Sequence, residues 1–84
     1  MDERILVEVY VPAAMRSFDI YLPIHKKVKE LKKILFPLLE ELNEGVFIPM
    51  VQTSLYGERI HVILADENTL QELGIVHGDK LIVL

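Results

Sequence analysis

Residues 5–11, ILVEVYV, set Ile5, Val7, Val9 and Val11 against Leu6, Glu8 and Tyr10, a period of two that only a β-strand can use to separate two faces. After PAAM, beginning at Pro12, the alternation resumes in SFDIYL, with Phe18, Ile20 and Leu22 opposed to Ser17, Asp19 and Tyr21 until Pro23 ends the run. Two alternating runs joined by so short a connection predict an antiparallel hairpin.

From Lys26 the period lengthens. Val28, Leu31, Leu35, Leu38 and Leu42 recur at steps of three and four, and with Ile34 and Leu39 they span roughly 140° of a helical wheel, the stripe of a core-facing helix running to about Asn43. Pro37 falls opposite that stripe, where it deletes one backbone hydrogen bond; a kinked helix that continues past it and a break into two short helices at Phe36 are the two outcomes. Gly45 reads as a helix stop and Pro49 opposes a central strand, so EGVFIPMVQ is expected to be a covering loop with at most an edge strand. TSLYGERIHVIL supplies one or two strands around Gly57. Thr69 and Glu72 have capping-box spacing for a short helix at about 69–73 that Gly74 ends. KLIVL is the last strand, with Leu81 and Val83 on one face and Lys80, Ile82 and Leu84 on the other. One long and one short helix on a mixed sheet of four or five strands is an α+β fold.

Length limits the rest. Eighty-four residues make a single domain over 1–84, and the hydrophobic content of 51% is needed for even marginal stability in a chain that buries only about 60–65% of its unfolded surface. Cysteine is absent, which removes disulfides, thiolate nucleophiles and thiolate metal ligands together. The longest apolar runs, ILFPLL and VFIPMV, are far below the roughly 20 residues that span a bilayer, and the acidic start MDERILVEVY lacks the basic-then-apolar pattern of a secretory signal. The expected compartment is the cytoplasm. A net charge of −4 opposes binding to a phosphate backbone, and the aromatic residues are not interleaved with the lysines, so nucleic acid is not an expected partner.

The closing stretch TLQELGIVHGDKLIVL carries a resemblance. Thr69, Leu70, Leu73, Ile75, Leu81 and Val83 match the pattern of the short helix and final strand of ubiquitin-like β-grasp proteins. Leu70, Gly74, Ile75, Gly78, Asp79, Leu81, Val83 and Leu84 resemble the YukD/EsaB group, small bacterial ubiquitin-like proteins encoded with type VII (WXG100, ESX-like) secretion systems. The resemblance implies a cytosolic accessory of that machinery docking on a membrane or ATPase component. The order of elements extends it over nearly the whole chain, although matched residues concentrate in the last third, Pro37 departs from the pattern and residues 44–53 have no aligned counterpart.

Ubiquitin and its sulfur-carrier relatives act through a mobile Gly-Gly terminus that an activating enzyme adenylates. Here the sequence closes on an apolar strand with no glycine after Gly78, and a strand held in a ladder cannot enter a remote active site. The expected function is therefore a non-conjugated interaction module. A sulfur-carrier or protein-modifier substrate is the alternative, should a Gly-Gly tail follow, and a ubiquitin-like domain of a larger membrane protein is a third reading. If the first and last strands are neighbours, as the resemblance implies, the out-of-phase Leu6, Tyr10, Ile82 and Leu84 form an apolar patch for a protein partner or a second copy of the chain. The opposing reading is that residues 44–52 fold over them, or that they stand as isolated exposed residues.

A second feature is basic. Lys26, Lys27, Lys29, Lys32 and Lys33 crowd the N-terminal half of the long helix while Glu40, Glu41 and Glu44 close it, against the preference of the helix dipole, with Glu30 spaced to relieve Lys26 and Lys33. Lys26, Lys29 and Lys33 would serve an acidic partner or lipid headgroups, unless they form only a solvated face. No catalytic constellation is visible. His25, His61 and His77 lack metal-ligand spacing, Ser17 and Ser54 lack a nucleophile elbow, and Asp79 after Gly78 reads as a turn residue, so neither an enzyme nor a cofactor or metal site is expected.

Overall fold

A computed structural model describes residues 3–44, 47–50 and 52–84. The hairpin forms as its alternation requires. Strands β1 (Arg4–Val11) and β2 (Arg16–Pro23) pair antiparallel in a register that sets Ile5 against Leu22 and Val9 against Phe18. A single 3₁₀ turn, Pro12–Ala14, joins them, and Met15 takes the left-handed conformation at φ 53° that closes it.

Helix α1 spans Val28–Leu42 and runs through Pro37 without a break, the proline lying on its exposed side. The next strands are short, β3 (Leu55–Gly57) and β4 (Val62–Ile63). Helix α2 (Leu70–Leu73) carries the full capping box: the Glu72 N–H donates to Thr69 Oγ1 and the Thr69 N–H donates to Glu72 Oε1. Gly74, at φ 77°, ends the helix, and β5 (Lys80–Val83) completes the chain's sheet in the order β2-β1-β5-β3-β4. Strand β5 lies parallel to β1 and antiparallel to β3, so both helices and three strands lie between the parallel pair in the chain.

The core lies between α1 and one face of the sheet. Val7, Val9, Val11, Leu55 and Leu81 enter it from strands, Leu31, Leu35 and Leu39 from α1, and Leu64 and Leu70 from the following segments, each essentially inaccessible to water. Each such side chain contributes about 1.5–3 kcal/mol relative to exposure. The helical stripe is rotated from its expected position. Phe36 is buried, while Ile34, Leu38 and Leu42 are 57%, 38% and 39% exposed. The cause is Phe47, whose ring meets Phe36 edge-on at 6.0 Å and draws that flank of α1 toward the segment before β3. Phe47 therefore lies on the helix side of the sheet; the parts of the expected covering loop at residues 45, 46 and 51 lie outside the described residues. α1 also starts at Val28, with Lys26 outside the helix and Lys27 as its N-cap.

Candidate protein-docking surface

The sheet face turned away from α1 is ordered into rows by strand register. Tyr10 pairs with Ile82, Ile82 with Tyr56 and Tyr56 with Ile63, so four apolar or aromatic side chains cross β1, β5, β3 and β4 in one line. Ile63 is 54% exposed and the other three are half-buried. Beside this line runs a charged one. Asp19, Glu8 and Lys80 are successive cross-strand neighbours, and Lys80 Nζ lies 3.7 Å from Glu58 and 5.1 Å from the centre of the Tyr10 ring.

The four residues expected to form a single patch are thus only partly brought together. Tyr10 and Ile82 are direct neighbours, as expected from adjacency of the first and last strands. Leu6 is separated from Tyr10 by Glu8 and stands opposite the exposed Tyr21. Leu84, 59% exposed, lies at the end of the sheet, where it lines a groove of about 470 Å³ with Val11, Ala13, Phe47, Ile48 and Met50. Its backbone exchanges two hydrogen bonds with Ser54, N–H to carbonyl at 2.9 and 3.1 Å. Tyr56 and Ile63, which extend the row, were absent from the sequence reading because β3 and β4 are too short to show a period; their pairing partners alone reveal the shared face.

A compact polar device holds the end of β5. Asp79 is 7% exposed and receives Arg59 Nε at 2.8 Å, Arg59 Nη2 at 2.9 Å and the Val76 N–H at 2.9 Å. The Arg59 guanidinium bound to it holds the Asp79 carboxyl below the usual carboxylate range, with the Val76 amide adding to the effect and burial opposing it. Asp79 is a turn residue as expected, with the further task of tying the segment after β3 to the turn before β5. Gly78, at φ 90°, makes that turn, and its N–H reaches the Leu6 carbonyl at 2.7 Å.

The lysine band has its own counterions, and among the described residues Glu30 makes no ion pair with it. Glu67 takes Lys27 at 3.2 Å and Lys29 at 3.0 Å, and Asp66 takes Lys32 at 2.7 Å. Lys29 and then Lys27 hold the Glu67 carboxyl below its ordinary value, and Lys29 is raised in turn. Of Lys26, Lys29 and Lys33, Lys29 is therefore engaged within the chain, and the band is a partly neutralised surface. The three histidines are apart: His77 Nδ1 accepts the Leu6 N–H, His61 Nδ1 lies 3.3 Å from the Tyr56 hydroxyl, and His25 lies 3.6 Å from Glu3.

No protein family and no curated relative matches the sequence. Solved structures do match in shape. The ubiquitin-like domain of EccD1, a type VII secretion system protein of Mycobacterium tuberculosis, superimposes with a TM-score of 0.77 at 19% identity, covering 98% of each chain. The EccD5 ubiquitin-like domain from Mycobacterium xenopi gives 0.78 at 16% identity over 98% of this chain and 93% of its own. The ubiquitin-like domain of the Arabidopsis thaliana protein At2g32350 gives 0.73 at 24% identity over 98% and 77%. With the strand order and the helix across one face, these likenesses establish that the chain has the ubiquitin-like β-grasp fold.

Proposed function

We propose that this chain is a non-enzymatic, non-conjugated protein-interaction module serving as a cytosolic accessory of a bacterial type VII secretion system. Its outer sheet face would dock on a membrane or ATPase component of that machine. The observation that carries the docking role is the row Tyr10, Ile82, Tyr56 and Ile63, a continuous apolar line across four strands with charges along one side. Aromatic anchors beside a charged rim are the composition of binding hot spots. The secretion context draws on the sequence pattern of residues 70–84 and on the likeness to the EccD domains. Among the described residues no helix is long and apolar enough to cross a membrane.

The alternative reading, a sulfur carrier or protein modifier, needs a mobile diglycine end. Residues 80–84 are held by ladder bonds to β1 and β3, which favours recognition by side chains. Two experiments separate the readings. Affinity capture from the producing cell should return a secretion ATPase or membrane component with the wild type and not with Ile63→Asp. Mass spectrometry of the native protein should show no covalent adduct, whereas adducts or a diglycine end would support the modifier reading.

A further inference from the structure

The turn before β5 is held from two sides. On one side the Arg59 guanidinium reaches the Gly74 carbonyl at 2.6 Å and both carboxylate oxygens of Asp79. On the other the turn meets the main chain of β1, where the Gly78 N–H donates to the Leu6 carbonyl at 2.7 Å and the Glu8 N–H donates to the Asp79 carbonyl at 2.9 Å.

One bond of this second junction is made by a side chain. In a parallel pair the amide and the carbonyl of one residue go to groups two positions apart on the neighbouring segment. Because the Leu6 carbonyl takes the Gly78 N–H, the Leu6 amide would be answered by the Val76 carbonyl. That carbonyl is already engaged, since it accepts the Asp79 N–H at 3.0 Å to close the turn. The imidazole of His77 takes its place, with Nδ1 accepting the Leu6 N–H at 3.1 Å. By these bonds Leu6 stands level with His77 and Glu8 with Lys80, so a step of two residues on β1 matches a step of three toward β5, the count of a β-bulge.

The substitution changes the chemistry. A backbone carbonyl accepts at any pH, whereas Nδ1 accepts only while the ring is neutral and carries its proton on Nε2. A proton added to the exposed ring turns Nδ1 into a donor facing the Leu6 N–H, and the bond is lost. The ionisable neighbours of this contact come from four segments. Arg4 and Glu8 flank Leu6 on one face of β1, Tyr21 stands opposite Leu6 on β2, Lys80 stands beside Glu8 on β5, and Asp79 in the turn is engaged by Arg59. Of these residue types, histidine is the one that ordinarily changes charge between about pH 8 and pH 5. Among the described residues His25, 3.6 Å from Glu3, and His61, beside the Tyr56 hydroxyl, accept no main-chain amide.

We propose that His77 is a proton-operated clasp: when neutral it holds the Leu6 amide and completes the junction of β1 with the turn, and when protonated it releases that junction while Arg59 keeps the turn itself in place. The closed form belongs to the high-pH side and the open form to the low-pH side. The clasp is independent of the docking role proposed above.

The test follows the ¹⁵N-labelled chain by NMR from about pH 8 to pH 5, reading the imidazole nitrogens and the exchange of amide protons, each rate divided by that of an unstructured peptide at the same pH. At the upper limit His77 should have Nε2 protonated and Nδ1 bare. As the pH falls the Leu6 amide resonance should move with the midpoint of the His77 ring, and its protection should drop about threefold to tenfold, the effect of one such bond on a local opening equilibrium. Protection at Val9, farther along β1, should stay constant. His77→Asn, whose Oδ1 can stand where Nδ1 does, should hold Leu6 at the high-pH level throughout, and His77→Ala should leave it at the low-pH level throughout. A proton on Nδ1 of the neutral ring, a Leu6 amide that does not follow the His77 midpoint, or a pH dependence of Leu6 that survives in the folded His77→Asn chain would each overturn the proposal.

Discussion

Tyr56 and Ile82 face one another across β3 and β5, and Ile82 in turn faces Tyr10, so the central strands present an unbroken apolar line on the side of the sheet that no helix covers. That line is separate from the core. Substitutions along it are expected to alter recognition, whereas those on the alternate residues Val9, Leu81 and Leu55 are expected to alter stability.

Asp79 gives the fold a pH dependence with a definite sign. Its carboxyl titrates below the ordinary value of about 3.9 in the folded chain, so its stabilising contribution is complete above that value and is lost as pH falls through the lower, folded pKa. Urea unfolding at pH 6 should show Asp79→Asn less stable than the wild type. The difference should shrink steadily as the pH is taken from 4 to 2; a constant gap would show that the charge of Asp79 is not what stabilises the turn.

Gly57 is buried and has no room for a methyl group. A Cβ there would lie 2.9 Å from Ile60 Cγ1 and 3.2 Å from Ile60 Cδ1. Gly57→Ala should cost about 1–3 kcal/mol in equilibrium unfolding. The double variant Gly57→Ala, Ile60→Ala should recover part of the overpacking cost, which a double-mutant cycle reads directly.

Pro37 lies inside α1 on its exposed side, where its ring removes one main-chain hydrogen bond and crowds the preceding turn. Pro37→Ala is expected to raise the unfolding midpoint, with the greater freedom of the unfolded chain offsetting part of the gain. At the start of α2, Thr69→Ala deletes both the Oγ1 acceptor and the reciprocal geometry of the capping box, and should cost about 1 kcal/mol.

The architecture was legible because three local signals agreed. Alternation in residues 5–11 and 17–22 fixed the hairpin, the three-and-four spacing after Val28 fixed the helix, and Thr69, Glu72 and Gly74 marked both ends of α2. The flank of α1 that would be buried was not legible. Ile34, Leu38 and Phe36 compete for the core on equal hydrophobic terms, and the choice is made by Phe47, a residue whose position depends on tertiary packing. The counterions of the lysine band were hidden for the same reason: Asp66 and Glu67 are more than thirty residues away in sequence. Half of the apolar row was also hidden, since Tyr56 and Ile63 belong to strands of three and two residues whose face is defined by β5.

The most direct test of the docking role is an NMR titration of the labelled chain with the purified cytosolic domains of the type VII secretion ATPase and membrane components, with Ile82→Asp and Ile63→Asp alongside. The account predicts shifts centred on Tyr10, Tyr56, Ile63 and Ile82, and a loss of affinity of about tenfold or more in each variant while circular dichroism is unchanged. Shifts confined to other surfaces, or full affinity in both folded variants, would contradict it.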